Sequence, residues 1–143
     1  MFISDSLSVN ETGHLTIGGA DVVSLAEKYG TPLYLMDETM IRERMRVYKK
    51  ALADFFPNGS VPEYASKAFS CKRIYQIAAE EGINVDVVSP GELYTAFKAG
   101  FPMERCFFHS NNKTDHNHDK KVLNPENEVA YFQATLDKSY YPE

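Results

Sequence analysis

The chain is poor in the features that define several large classes of protein. Its 143 residues include two cysteines, Cys71 and Cys106, too few for a disulfide framework at this length. Both are read as reduced thiols of a cytoplasmic protein. No apolar run approaches the roughly 20 residues that cross a bilayer. The opening Met1-Phe2-Ile3-Ser4-Asp5 has neither the basic stretch nor the apolar core of a signal peptide. Basic residues are outnumbered, with 15 Lys and Arg against 20 Asp and Glu and a net charge of −5. This balance argues against the clustered basic face of a nucleic-acid binder and offers nothing to a membrane surface. What remains is a soluble globular composition, 43% hydrophobic and 24% charged. A chain of this size can bury about 70% of its unfolded surface.

The pattern along the chain divides it into three stretches. Residues 1–31 read as an appendage. Leu7 to Ile17 alternate as two short strands around an Asn-Glu-Thr-Gly turn. A short helix follows, capped by Asp21 and closed by Gly30.

The second stretch is residues 32–114, and strand and helix alternate through it from residue 33 to 109. Leu33-Tyr34-Leu35-Met36 has the look of a buried strand. A helix follows with Asp37 as cap and Ile41, Met45, Tyr48, Leu52 and Phe55 on one face, ended by Pro57-Asn58-Gly59. The second unit has a strand from Val61 to about Ser66. Its helix runs from Cys71 to Glu81, with Ser70 as cap, Ile74, Ile77 and Ala78 inward and Gly82 at the end. The third strand runs from Ile83 to Val88. Ser89-Pro90-Gly91-Glu92 then opens a helix as a capping box with proline at the first helical position, and Gly100 stops it. Cys106 to His109 reads as a fourth strand.

This alternation predicts parallel strands with right-handed crossovers, in either an open doubly wound sheet or a (β/α)8 barrel. A nucleotide-binding open sheet carries a glycine-rich turn after its first strand, and Met36-Asp37-Glu38 contains no glycine. The barrel is therefore favoured. It is incomplete, because a whole barrel takes about 250 residues. Residues 115–143 form a third, divergent stretch without periodicity. His116 and His118 within it lack further ligands at metal spacing, so no metal site is expected.

Lys67 falls at the carboxyl end of the second strand, the end that builds the active site of a βα barrel. Taken alone, such a lysine is most simply a solvated loop residue. Its neighbours change that reading. Tyr-Ala-Ser-Lys-Ala-Phe-Ser (64–70) resembles the lysine motif of the fold-type III pyridoxal-phosphate decarboxylases, the group that acts on diaminopimelate, ornithine and arginine. Tyr-Gly-Thr-Pro-Leu-Tyr (29–34) resembles the family's entry into its first barrel strand. Val-Asp-Val-Val-Ser-Pro-Gly-Glu-Leu (85–93) resembles its third strand and following helix, with Pro90 where a second glycine is usual. Phe-His-Ser-Asn-Asn-Lys-Thr (108–114) resembles a His-Gly-Asn-Asn-Lys run typical of the diaminopimelate branch.

The resemblance, which covers residues 7–114, implies an α/β fold made of the first three to four βα units of a (β/α)8 barrel. The N-terminal hairpin in front of it would belong to an otherwise absent C-terminal β domain. It implies pyridoxal 5′-phosphate as cofactor and Lys67 as the Schiff-base lysine. Ala65 would lie against the cofactor. Asp86 would sit close to the lysine, where a carboxylate orients the ammonium and favours its charged form; the alternative is a strand-end aspartate bonded to backbone. His109 would line the cofactor pocket or serve as a structural histidine. The implied reaction is decarboxylation of the amino acid meso-diaminopimelate to L-lysine, with ornithine or arginine as the alternative substrate. The family works as a homodimer. It holds the cofactor phosphate and the substrate's distal carboxylate with residues from later barrel strands and beyond. A fragment without those parts is expected to be inactive, or to act as a non-catalytic relative pairing with an intact subunit.

Overall fold

The computed structural model describes residues 4–56 and 59–109. The chain forms two compact units, one from Met1 to Tyr48 and one from Lys49 onward.

In the first unit, β1 (Leu7–Val9), β2 (Leu15–Ile17) and β3 (Ala20–Asp21) make a small antiparallel sheet in that order. The expected hairpin is present, with Leu7 opposite Ile17 and Val9 opposite Leu15. Its turn is an Asx turn: Asn10 accepts on its side chain from the backbone N–H of Thr12 (3.1 Å) and of His14 (2.9 Å). The third strand is an addition to the sequence reading. It is two residues long, below what alternation can signal, and pairs Thr16 with Asp21.

Asp21 then caps α1 (Val22–Tyr29), accepting from the N–H groups of Val23 and Ser24, and Gly30 ends the helix as expected. Leu33 to Met36 correct the sequence reading, since they form no strand and Tyr34 is 92% exposed. A strand exists only through its ladder, and local apolar content cannot supply the partner. Asp37 caps α2 (Glu38–Phe55) through the N–H groups of Thr39 and Met40. On its apolar face Met45 is buried, whereas Tyr48 and Phe55 are exposed. No helix among the described residues is long and apolar enough to cross a membrane.

The second unit has a three-stranded parallel sheet of β4 (Glu63–Ala65), β5 (Asn84–Val87) and β6 (Cys106–Phe108), in sequence order. Two helices link the strands, α3 (Lys72–Glu81) and α4 (Pro90–Lys98). Val85 and Val87 are fully buried on one side of β5, where Ile74, Tyr75, Ile77 and Ala78 of α3 and Leu93 and Ala96 of α4 complete the core. Tyr75 meets Phe101 edge to face, with ring centroids 6.4 Å apart.

Gly82 ends α3 with φ 72° and ψ 30°, a left-handed cap that glycine adopts without strain. Ile83 N–H returns to Ala78 O at 2.8 Å, and the Arg105 guanidinium donates to Ile83 O at 2.6 Å. The turn that launches β5 is thus held from β6's side of the sheet. One cap differs from expectation. Cys71, not Ser70, is the residue before α3, and it makes no side-chain capping bond. The Ser70 hydroxyl is instead taken by the buried Tyr75 hydroxyl at 2.9 Å.

Candidate active site

A parallel strand offers alternate side chains to opposite faces. Because Val85 and Val87 face the helices, Asp86 between them faces the other way. The register aligns Ala65, Asp86 and Phe107 in one row across the three strands. Ala65 and Phe107 are exposed, so this face is open. Asp86 nevertheless buries its Oδ1, which has no hydrogen-bond partner among the described residues. A buried acceptor left unpaired is costly, and a water, an ion or a ligand can complete its bonding.

Directly after Ala65 the chain leaves the sheet in a 3₁₀ turn, Ser66–Ala68, that packs against β5. Lys67 is the middle residue of this turn and is exposed. The structure therefore brings Lys67, Ala65 and Asp86 to the carboxyl end of two paired strands. His109 follows β6, and its N–H donates to Val87 O at 3.0 Å, extending the ladder by one bond. It lies two residues beyond Phe107, and the pleat assigns it to the same face. Its ring is exposed. Ser110 to Thr114, the rest of the Asn-Asn-Lys run, and His116 and His118 lie outside the described residues.

The Lys67 turn is fastened on several sides by residues to which the sequence reading gave no such role. Phe69 N–H returns to Ser66 O at 3.1 Å, and the Tyr64 hydroxyl donates to Phe69 O at 2.8 Å. Ser66 is fully buried, and its Oγ donates to Glu92 Oε2 at 2.9 Å. The same carboxylate oxygen accepts Val88 N–H at 2.7 Å. Glu92 was expected to close a capping box. Half of it forms, with Glu92 N–H donating to Ser89 Oγ at 3.2 Å, but the Glu92 carboxylate reaches Val88 and Ser66 instead. Burial pushes the Tyr75 hydroxyl above its ordinary range, against the pull of its bonds to Ser66 and Ser70. The Tyr64 hydroxyl is raised too, first by burial and then by the nearby Tyr75 and Cys71. Both phenols are therefore protonated at neutral pH, and Tyr64 is the donor in its bond to Phe69. The only sequence signal for this network was a small polar residue beside the lysine and a carboxylate at capping-box spacing.

An exposed primary amine on a fixed turn, an open sheet face beside it and an orphaned carboxylate oxygen on that face suit the aldehyde end of pyridoxal phosphate. They fit the cofactor named by the comparison with known families. The family model described as "pyridoxal-dependent decarboxylase, pyridoxal binding domain" matches residues 38–135, and the chain belongs to that family. Pyridoxal phosphate is the family's cofactor and decarboxylation its reaction, which makes its members lyases. The match begins with α2 and runs past Thr114.

Within the family, the chain's relatives include named diaminopimelate decarboxylases. That of Bacillus subtilis is 54% identical and that of Bacillus methanolicus 52%, each over 80% of this chain and 26% of the relative. The chain thus spans about a quarter of the length of the curated relatives it matches. Two solved structures resemble it. Diaminopimelate decarboxylase from M. jannaschii, in complex with L-lysine, is 34% identical with a TM-score of 0.67, over 80% of this chain and 27% of that one. The AQ1208 protein from Aquifex aeolicus is 32% identical with a TM-score of 0.69, over 93% and 34%.

Proposed function

We propose that this chain supplies the cofactor lysine, Lys67, and the first wall of the cofactor pocket of a diaminopimelate decarboxylase. The observation that carries the reading is the row Ala65–Asp86–Phe107, with the Lys67 turn at its edge and a buried Asp86 oxygen lacking a partner. The substrate would be meso-diaminopimelate and the product L-lysine, which agrees with the names of the relatives and with the L-lysine held by one of them. Ornithine or arginine is the alternative substrate within the family.

The parallel sheet would be an arc of a (β/α)8 barrel, with residues 32–114 as the partial barrel and 115–143 as a divergent tail. Residues 1–31, which include the small antiparallel sheet, would belong with a C-terminal β domain. The remaining barrel strands would bring the phosphate-binding loop, and a second subunit would complete the site of a cytoplasmic homodimer.

When bound, the cofactor supplies an electron sink for the pair left behind by departing carbon dioxide. The chain's own contribution is positional. Lys67 offers an exposed amine from a turn whose backbone is tied down, so little ordering entropy remains for binding to overcome. Asp86 presents an acceptor to a protonated nitrogen at Lys67. Ala65, having no bulk, leaves room for a flat ring against the strand. The His109 side chain stands on the same face for a further polar contact. With the phosphate cradle supplied by the later strands, the described residues by themselves would hold cofactor weakly and release no carbon dioxide.

The test is reductive trapping. The chain is incubated with pyridoxal phosphate, reduced with borohydride and mapped for modified lysines, alongside Lys67→Ala. Label concentrated on Lys67 is expected; label spread evenly over the surface lysines would overturn the assignment. Carbon dioxide release is then measured for the full-length protein on diaminopimelate, ornithine and arginine, with diaminopimelate expected to be preferred.

A further inference from the structure

The site contains a charged residue, Glu92, whose chemistry the proposed reaction does not use. Its carboxylate oxygen Oε2 accepts two bonds, from Ser66 Oγ at 2.9 Å and from Val88 N–H at 2.7 Å. These partners lie just past the ends of two adjacent strands. The β4–β5 ladder stops at the pair Ala65–Asp86, Ser66 is the next residue on one side, and Val88 directly follows β5. Beyond the last rung the backbones part, one into the Lys67 turn and the other into the Ser89 cap. One carboxylate oxygen then does what a further rung would have done.

The bonds hold for three physical reasons. Ser66 is fully buried, so its hydroxyl has no water to compete for it. Bonds to an ionised acceptor are about twice as strong as neutral ones. Glu92 also stands in the first turn of α4, where the helix dipole favours a negative charge. At the far end of the same loop the Ser70 hydroxyl and the buried Tyr75 hydroxyl share a hydrogen bond of 2.9 Å. The two ends of the loop that carries Lys67 are thereby tied down, Ser66 to α4 and Ser70 to α3.

We infer that Glu92 is a positioning residue: its carboxylate bridges the ends of β4 and β5 through Ser66 and fixes the turn that presents Lys67. The inference rests on Lys67 being the cofactor lysine, and it acts on that lysine without touching the cofactor. Because both bonds end on one oxygen, a glutamine carbonyl can replace the carboxylate in place, whereas alanine cannot.

The experiment compares the wild-type chain with Glu92→Ala, Glu92→Gln and Ser66→Ala. Two readouts are taken: the fraction of pyridoxal phosphate trapped on Lys67 relative to the other lysines, across pH, and amide exchange at Phe69 and Val88 without cofactor. Glu92→Ala and Ser66→Ala should each lower Lys67 selectivity about tenfold, the worth of one charged hydrogen bond. Both should speed exchange at Phe69, Glu92→Ala should also speed it at Val88, and Glu92→Gln should restore most of both. Ser66→Ala leaves Glu92 in place on Val88 and α4, so it breaks the bridge with the least disturbance to the fold. Faster exchange with unchanged Lys67 selectivity would reduce Glu92 to a helix and strand tie and overturn the inference. If the wild-type chain shows no Lys67 selectivity, the cofactor assignment fails instead. The bridge is then decided by exchange at Phe69, where no change in Glu92→Ala would overturn it.

Discussion

Asp86→Ala is expected to make the chain more stable and a poorer holder of pyridoxal phosphate, and the size of each effect follows from the site. Asp86 Oδ1 is buried with no hydrogen-bond partner among the described residues, and such an acceptor costs about 1–3 kcal/mol. Aspartate and alanine are both weak strand formers, so the exchange changes strand propensity little. The row neighbours Ala65 and Phe107 are exposed, so truncation opens no sealed cavity. The residue as a whole is half-buried, which keeps part of its carboxylate hydrated and places the gain near the low end, about 1 kcal/mol. With a urea dependence of about 1–3 kcal/mol per molar, the unfolding midpoint should rise by roughly 0.5 M. The chain has no tryptophan, so far-ultraviolet circular dichroism is the suitable probe. In parallel, trapping of pyridoxal phosphate on Lys67 should fall. A midpoint that drops by a similar amount would show that Oδ1 is already well bonded. Unchanged trapping would show that Asp86 does not serve the lysine.

Ile77 is 2% exposed beneath the sheet, and Ile77→Ala should cost about 2–5 kcal/mol in the same urea experiment; a loss well below 1 kcal/mol would mean that the core is not packed as described. The Asp21 carboxyl is held down to about 2, chiefly by the N–H of Ser24 and then by His14, with Asn10 and Val23 adding to them. Its folded value lies below the unfolded value of about 3.9, so its contribution is complete above about pH 4 and is lost as pH falls through about 2. Acid titration of the helical signal should show this limb in the wild type and lack it in Asp21→Asn. Identical titrations would remove Asp21 from the acid response.

Much of the local structure was legible because its causes are local. Asp21 and Gly30 bound α1 as read, and Ser89 with Pro90 opens α4 as read, since a cap is a contact between a side chain and a backbone a few residues away. The parallel strands from Glu63 to Phe108 followed from apolar runs alternating with helical periodicity. Leu33 to Met36 misled for the complementary reason. Apolar content was present, and the ladder that would have made it a strand was not.

The motif around Lys67 was visible in the chain alone, because the resemblance lies in a contiguous run of residues. Asp86 was readable as a strand residue, but its orphaned oxygen was not, since burial of one atom depends on the packing of β4, β5 and β6 together. Ser70 was read as a cap and Glu92 as half of a capping box. Each had a capping role open to it that other partners displaced: Tyr75, five residues on, for Ser70, and Val88 together with the distant Ser66 for the Glu92 carboxylate. Sequence by itself determined the helices, the caps at Asp21 and Ser89, and the expectation placed on Lys67, all of which rest on residues within a few positions of one another. Only the tertiary structure decided which polar groups meet across strand ends, because a bond spanning 26 residues, such as Ser66 to Glu92, exists only once the sheet has set their register.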